Sequence, residues 1–356
     1  MKNLLLIAAV LVSALAFAGD QPQITNAKVE TRSAANGLEQ QVKSIVSQSS
    51  PSWIAYAEPV IAGENTMCCF NSSVNVTKGC CGGCKLERDG SSFHGSSTGC
   101  SSLEAPTTFF IFLRTANGSI EKARTFSPNC TIDGSGMTVY WLNDVKPTDS
   151  IAYLTKLAST DDTNEHKKDI SSGAIAAIAM HADPAADVAL DKLISTGRTN
   201  HIVEQATFWT GNARGTRGYE ILSSQLEHNS SHFFRKHAVF ALSQNSDPRA
   251  QKKLIDLARH DSDSDIRSES LFWLAQEAGT KAAGVISDAI ADDPNTDVKK
   301  KAVFALSQLP TDEGVPLLID QAKRNPNPVV RKEAIFWLGQ SEDSRALDFI
   351  ASILER

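Results

Sequence analysis

The stretch VKKKAVFALSQ at residues 298–308 has three close copies in this chain: RKHAVFALSQ at 235–244, IRSESLFWLAQ at 266–276 and VRKEAIFWLGQ at 330–340. Each copy carries a basic residue, an aromatic residue, a leucine and a glutamine in a fixed register. One column of identical residues has a spacing of 32 positions: Phe208, Phe240, Phe272, Phe304 and Phe336. A second column keeps this step through six units: Leu190, Leu222, Leu254, Ile286, Leu318 and Ile350. Because the two columns agree, the sequence contains a 32-residue repeat.

Each unit of the repeat predicts a pair of helices. An amphipathic stretch of about twelve residues is followed by a break rich in Asp, Gly, Pro or Ser, and then by a second amphipathic stretch. One such hairpin cannot bury its apolar face alone, whereas six stacked hairpins can share one continuous core. We therefore predict an α-solenoid of about six helical hairpins over residues 149–356.

The copied stretches resemble HEAT-type repeats of the short kind found in bilin lyases. The resemblance covers about residues 165–356, and the first two units depart from it, with Ala176 in place of Phe and Asn212 in place of Gln. HEAT-type proteins include the metal-dependent deoxyhypusine hydroxylase, whose metals are held by His-Glu dipeptides. None of the eight histidines here is followed by Glu, so the sequence does not support that activity. It does not support a bilin lyase either, because no chromophore pocket is recognisable.

The N-terminus has the parts of a secretory signal peptide. Lys2 precedes an apolar stretch over residues 4–17, and Ala16-Phe17-Ala18 is a small-x-small cleavage site. This stretch is shorter than the roughly 20 apolar residues that span a bilayer. We expect cleavage after residues 1–18, export to the periplasm or the extracellular space, and no membrane insertion after cleavage.

Strand patterns occupy residues 51–148. Strands are predicted at 53–61, 107–115, 119–126 and 138–142, and Asn117-Gly118 is a pair favoured in tight hairpins. Residues 19–50 are polar with a weak helical pattern and predict a linker or an edge helix. The predicted fold class is therefore α+β with two domains: a small disulfide-rich antiparallel β domain over residues 51–148, followed by the α-solenoid.

All seven cysteines lie between residues 68 and 130, and the first six fall in a stretch rich in Gly and Ser that predicts a loop: Cys68, Cys69, Cys80, Cys81, Cys84, Cys100 and, farther along, Cys130. In an oxidising compartment, disulfides commonly stabilise a small domain with a thin core. Three disulfides and one odd thiol are the favoured interpretation, with the connectivity open. The alternatives are a zinc site that includes His94 and a redox pair in Cys81-Gly82-Gly83-Cys84. No βαβ pattern surrounds that pair, and adjacent cysteines do not easily occupy two corners of a tetrahedron, so we predict no metal and no cofactor.

The region 53–87 carries a further resemblance. It includes Met67-Cys68-Cys69 and Cys84-Lys85-Leu86-Glu87, and it resembles secreted bacterial proteins that couple a cysteine-bearing domain to HEAT-type repeats. This resemblance implies no activity.

Two charged columns share the 32-residue step and form a candidate partner-binding surface. The basic column comprises Arg235, Arg267, Lys299 and Arg331, and the acidic column on the second helices comprises Asp256, Asp288 and Asp320. The alternative is that these charges bond within and between units or form a solvated face.

Large and small residues alternate after the Phe column: Ala177, Trp209, Ala241, Trp273, Ala305 and Trp337. Interdigitation of these side chains between stacked helices is the favoured explanation. An aromatic ladder that binds an extended ligand is the alternative.

The charge and the motifs of the chain argue against several classes of function. The 41 acidic residues exceed the 35 basic ones, so the formal charge is −6, and the chain lacks the basic field that nucleic acids require. No GxSxG, HExxH or P-loop pattern occurs, and no catalytic residue can be named. We therefore expect an exported, non-enzymatic HEAT-repeat scaffold that binds a protein or peptide in the cell envelope. The alternative is a redox- or metal-responsive sensor that uses the cluster from Cys68 to Cys100.

Overall fold

The computed structural model describes residues 21–48, 50–63, 66–69, 84–87, 92–95, 106–128, 131–160 and 165–355. These residues form two compact units. The sheet unit ends at Ser150, and the helical unit begins at Ile151 and also includes short segments near residues 60 and 123. The predicted signal peptide at residues 1–18 lies outside the described residues, as do Cys80, Cys81, Cys100 and Cys130.

The sheet unit contains a five-stranded sheet, two smaller sheets and one helix in its described part. Its elements are β1 (Ile24–Thr25), β2 (Lys28–Ser33), α1 (Leu38–Val46), β3 (Ser52–Pro59), β4 (Thr66–Cys69), β5 (Cys84–Lys85), β6 (Ser92–Gly95), β7 (Thr108–Ala116), β8 (Ser119–Phe126), β9 (Ile132–Asp133) and β10 (Thr138–Asn143). The strand order of the main sheet is β2-β10-β3-β7-β8. The four predicted strands are confirmed as β3, β7, β8 and β10.

The main sheet is mixed, and the prediction of an antiparallel domain is wrong. β10 pairs in parallel with both of its neighbours, β2 and β3, while β3 and β7 are antiparallel. Parallel strands need a crossover connection, and α1 supplies it between β2 and β3. Residues 19–50, predicted as a linker or an edge helix, therefore contribute a strand and the crossover helix of a split β-α-β unit.

Aromatic side chains fill the core of the main sheet. Phe112 stacks edge-to-face with Trp53 at a centroid distance of 6.4 Å, and Phe110 does so with Trp141 at 5.8 Å. All four side chains are buried in one cluster, and such edge-to-face pairs add stability beyond the burial of apolar area.

Short strands lie within the segment predicted as a loop stapled by disulfides. β4 is antiparallel to β6, with Cys68 opposite Phe93, and β5 is parallel to β9, with Cys84 opposite Ile132. The structure thus describes the backbone of Cys68, Cys69 and Cys84, whereas their side chains lie outside the described residues. The disulfides stay a prediction.

The helical unit is a solenoid-like stack of helical hairpins. After α2 (Pro147–Ala158), the hairpins are α3 (Glu165–Met180) with α4 (Ala185–Thr196), α5 (Asn200–Ala213) with α6 (Gly215–His228), α7 (His232–Ser243) with α8 (Pro248–His260), α9 (Ser264–Ala278) with α10 (Ala283–Asp292), α11 (Thr296–Ser307) with α12 (Thr311–Arg324), and α13 (Pro328–Gly339) with α14 (Ser344–Leu354). The first helices of successive hairpins contact one another, from α3 to α13. This layer confirms the predicted stacking of helical hairpins.

The loops between units repeat as regularly as the helices. Each first helix from α5 to α13 begins after a side chain that accepts a hydrogen bond from its first turn: Thr199, Ser231, Asp263, Asn295 and Asn327. Such caps satisfy N–H groups that the helix itself leaves unpaired. This column of short polar side chains was not among the predicted columns, although it keeps the same 32-residue step.

Candidate binding surface

Two arginines of the basic column bond within the chain. Arg267 donates to the carboxylate of Asp293 at 2.7 and 3.0 Å and to the carbonyl oxygen of Asp261 at 2.8 Å. The hydrogen bond with Asp293 raises the pKa of Arg267 above its ordinary value. Arg235 donates to the Leu226 carbonyl oxygen at 2.8 Å and pairs with the carboxylate of Asp261. Both arginines thus connect the end of one second helix with the next unit.

The other two members of the basic column bind backbone carbonyls. Lys299 donates to Ala291 at 2.6 Å, and Arg331 donates to Asn325 at 2.8 Å. Both carbonyls lie at or just beyond the C-terminus of a second helix, where a cation interacts favourably with the helix dipole. These contacts support the alternative that the column holds neighbouring units together. Partner binding by this column stays a prediction.

The acidic column lies on the second helices α8, α10 and α12, whereas the basic column lies on the first helices. Asp288 pairs with Arg259 and Asp320 pairs with Arg324, each at 2.9 Å, and the side chain of Asp256 is exposed. In the described part of the chain, no ion pair joins the two columns. Partner binding by the acidic column also stays a prediction.

A row of aromatic side chains, here called the aromatic ladder, runs along the first helices. It comprises Phe208, Trp209, Phe240, Phe272, Trp273, Phe304, Phe336 and Trp337. The geometry repeats every two units. Phe208 and Phe240 stack nearly parallel with centroids 5.9 Å apart, and Phe272 and Phe304 do so at 5.8 Å.

Tryptophan rings connect the stacked pairs of the ladder. The Trp273 ring lies 4.5 Å from Phe240, and the Trp337 ring lies 4.7 Å from Phe304. Trp209 is buried, Phe336 is 54% exposed, and the other rings are half-buried. The ladder therefore packs neighbouring helices together and also presents aromatic surface to solvent.

Glutamates hold two of the tryptophans in place. The indole Nε1 of Trp273 donates to Glu269 at 3.0 Å, and that of Trp337 donates to Glu333 at 3.0 Å. Lys236 of the preceding first helix lies 3.8 Å from the Glu269 carboxylate. The carboxylate between α7 and α9 is thus paired with a cation from the chain itself.

A cavity of about 290 Å³ opens on the ladder between α5 and α7. Its lining residues are Glu204, Gln205, Phe208, Trp209, His237 and Phe240. The Nε2 atom of His237 lies 3.8 Å from a carboxylate oxygen of Glu204. This site was not among the predicted sites, although the sequence carries a signal for it: Glu204 occupies the register in which later units have Lys236, Lys300 and Lys332.

A buried arginine lies at the turn between α5 and α6. The Nε and Nη2 atoms of Arg214 are both 2.8 Å from one carboxylate oxygen of Asp187. Its Nη1 atom donates to the carbonyl of Ala179 at 3.0 Å and to that of His181. The side chain of Arg214 is only 2% exposed, so these acceptors replace the water that a guanidinium ordinarily binds.

The imidazole of His181 is buried next to this arginine. Its Nδ1 atom lies 2.7 Å from the Ala177 carbonyl oxygen, to which it donates because a carbonyl cannot. Burial lowers the pKa of His181 from its ordinary 6.5 to about 4, and the positive charge of Arg214 acts in the same direction. His181 is therefore neutral at pH 7.

Among the residues that the structure describes, one group of side chains could hold a metal ion. Ligand atoms of His232, Asp263 and Asp265 lie within 4.8 Å of one another. However, Nδ1 of His232 is 2.7 Å from Asp263 and Nε2 is 3.8 Å from Asp265, so both ring nitrogens already face carboxylates. The hydrogen bond from His232 lowers the pKa of Asp263. A metal ion would have to displace this hydrogen bond between His232 and Asp263.

Comparison with known proteins gives a partial match. Residues 285–356 match the family model described as HEAT repeats. No curated protein matches the chain. In the described part of the chain, each helix is too short or too polar to cross a membrane.

Several solved structures are similar at low identity. Human deoxyhypusine hydroxylase is 16% identical, with 59% of this chain and 80% of that chain covered and a TM-score of 0.31. The CpcE–CpcF complex of phycocyanin lyase from Nostoc is 21% identical, with 45% and 100% covered and a TM-score of 0.34. Escherichia coli YibA is 17% identical, with 58% and 76% covered and a TM-score of 0.33. TM-scores this low say nothing about activity, and the family match extends only over residues 285–356, the C-terminal HEAT repeats.

Proposed function

We propose that this protein is an exported scaffold, without catalytic activity of its own, that binds an extended segment of another protein along the aromatic ladder. The observation that carries the proposal is the continuous row of half-exposed rings on successive first helices. The HEAT-repeat assignment of residues 285–356 extends, in this proposal, to the whole array from residue 165. The Leu column runs through all six units, and the Phe column runs through the last five.

Aromatic side chains are well suited to this role. Tyrosine and tryptophan are enriched among the residues that contribute most to protein–protein affinity, and aromatic rings are enriched at interfaces generally. The ladder offers such rings at regular intervals, as stacked repeats with an extended binding surface do. Export is supported by the signal-peptide pattern of residues 1–18.

A glutamine column follows the Phe column four residues later in each of the last four units. Gln276 donates to Gln308 at 3.2 Å, and both side chains are exposed. Gln244 belongs to the same column and donates to Glu277 at 3.1 Å. Amide side chains both donate and accept hydrogen bonds, so this column can bind the backbone of an extended peptide that lies on the ladder.

The proposal is tested with peptides selected from a random library against the full chain. Dissociation constants are then measured for variants Phe240→Ala, in the middle of the ladder, and Phe336→Ser, at its exposed end. Loss of an aromatic anchor weakens binding by about 2 kcal/mol, or roughly 30-fold.

The matched control is Val188→Ser. Val188 is 71% exposed on α4, outside the ladder, so its replacement also removes exposed apolar surface. Selected peptides should bind this variant as they bind the unaltered protein. If both ladder variants and the control keep full affinity for every selected peptide, the ladder is not the binding surface. Circular dichroism verifies that each variant is folded.

A further inference from the structure

The cavity between α5 and α7 has the lining of a site for a cation. We propose that it binds the side chain of a lysine or arginine in the segment that lies on the ladder. This inference rests on the proposed function, since it names the type of residue that the bound segment presents at this point. Its volume of about 290 Å³ is at the lower limit of the roughly 300–1,000 Å³ of small-molecule pockets, which suits a single side chain.

The tautomer of His237 makes the polar side of the cavity an acceptor. Nδ1 of His237 lies 2.8 Å from the carbonyl oxygen of Phe233, so Nδ1 carries the proton that is donated there. In the neutral ring, Nε2 then has a free lone pair, and it lies 3.8 Å from the Glu204 carboxylate. With His237 neutral, Nε2 and the Glu204 carboxylate are two acceptors side by side, and they fit the N–H donors of an ammonium or guanidinium group.

Aromatic rings form the apolar side of the cavity. Phe208 and Phe240 stack with an interplanar angle of 17°, and both line the cavity together with Trp209. A ring face attracts a cation through its quadrupole, most strongly in tryptophan. The alkyl stem of lysine or arginine can pack on the same rings while its charged end reaches Glu204.

The next unit shows how the chain fills such a position by itself. Between α7 and α9, Lys236 lies 3.8 Å from the carboxylate of Glu269, and that carboxylate accepts a hydrogen bond from the indole of Trp273 in the ladder. Between α5 and α7 the sign of the charge at this position is reversed, because Glu204 stands where Lys236 stands one unit later. In the described part of the chain, no lysine or arginine pairs with Glu204. Its ionisable neighbour is His237, which stands in the register of Glu269 and is a cation only when protonated.

The test uses the full chain and two kinds of probe. The probes are Nα-acetyl-lysine methylamide, which keeps its charged side chain, its uncharged analogue Nα-acetyl-norleucine methylamide, and butylammonium. Each is titrated into the protein while the NMR signals of Trp209 and His237 are followed. Library peptides with lysine are compared with the same peptides carrying norleucine. We expect saturable shifts with the charged probes only, and about tenfold weaker binding of lysine peptides to the Glu204→Gln variant, because a charged hydrogen-bonding partner is lost.

Glu227→Gln is the matched control, because Glu227 is an exposed glutamate on α6 outside the cavity, and its replacement should leave affinity unchanged. Equal binding of lysine and norleucine probes, or full affinity in Glu204→Gln, overturns the cation site. In that case, peptides that still bind the ladder leave the proposed function standing. If lysine probes saturate the cavity and no peptide binds the ladder, the proposed function fails while the cation site stands. Butylammonium that binds more tightly than the peptides overturns the assignment to a protein partner.

Discussion

Acidification should destabilise the helical unit through His181. The variant His181→Gln removes the titrating ring and retains an N–H that can donate to the Ala177 carbonyl. The ring is fully buried, and its pKa falls from the ordinary 6.5 to about 4 on folding, mainly because burial disfavours the charged form. The unfolded chain therefore binds a proton at this residue in a pH range in which the folded protein does not.

The sign and size of the effect follow from this difference. Stability rises with pH wherever the unfolded state binds more protons, so the His181 contribution is complete above pH 6.5 and is lost as the pH falls toward about 4. One pKa unit corresponds to about 1.4 kcal/mol. The free energy of unfolding of the unaltered protein, relative to that of His181→Gln, should thus fall by about 2 kcal/mol at pH 5 and by about 3 kcal/mol at pH 4.

Urea denaturation followed by far-UV circular dichroism measures this difference at pH 7, 6, 5 and 4. The prediction concerns only the difference in the free energy of unfolding between the two proteins, because all other groups titrate equally in both. His228→Gln, at an exposed position on α6, controls for the loss of an imidazole as such. Parallel stability curves for the unaltered protein and His181→Gln, constant to within about 1 kcal/mol from pH 7 to pH 4, would refute the burial argument.

Three further predictions concern stability and processing. Asp187→Ala should lower the free energy of unfolding by about 3–5 kcal/mol in urea denaturation, because it leaves the buried charge of Arg214 without its partner; an effect below 1 kcal/mol would contradict the pairing. Gly211→Ala should lower the melting temperature, because the added Cβ would lie 2.3 Å from the Ala241 carbonyl oxygen. In the control Gly284→Ala the added Cβ would meet no atom within 4 Å, so the melting temperature should not fall. The protein purified from the oxidising compartment should lack residues 1–18 and show at most one alkylatable thiol by intact mass, whereas several free thiols or bound zinc would favour the sensor alternative.

The sequence alone was sufficient to predict the helical hairpins and most of the main strands. Hairpin helices depend on contacts within about one turn and on a repeated apolar face, so the Phe and Leu columns contain the needed information. The Asn117-Gly118 turn was equally local. Both residues adopt positive φ in the structure, at 53° and 74°, as a tight hairpin requires.

The roles of the charged residues could not be read from their spacing. Arg267 belongs to a column with a 32-residue step, and a column of exposed residues would have the same step. Its side chain nevertheless pairs with Asp293 at the end of α10. Whether a periodic charge faces solvent or a neighbouring helix depends on how the units pack, and a column of identical spacing is compatible with both.

What only the tertiary structure decided is which distant segments meet. β10 lies between β2 and β3 in parallel, although Val139 and its partner Val29 are far apart in the chain, and no local pattern distinguishes this pairing from an antiparallel one. In the same way, the cavity exists because stacking places Glu204 of α5 beside His237 of α7. Local periodicity determines the helices, the strands and the 32-residue repeat. Strand partners and the cavity depend instead on packing between residues that are far apart in the chain. Only the folded core selects one strand pairing and one packing arrangement among the possible ones.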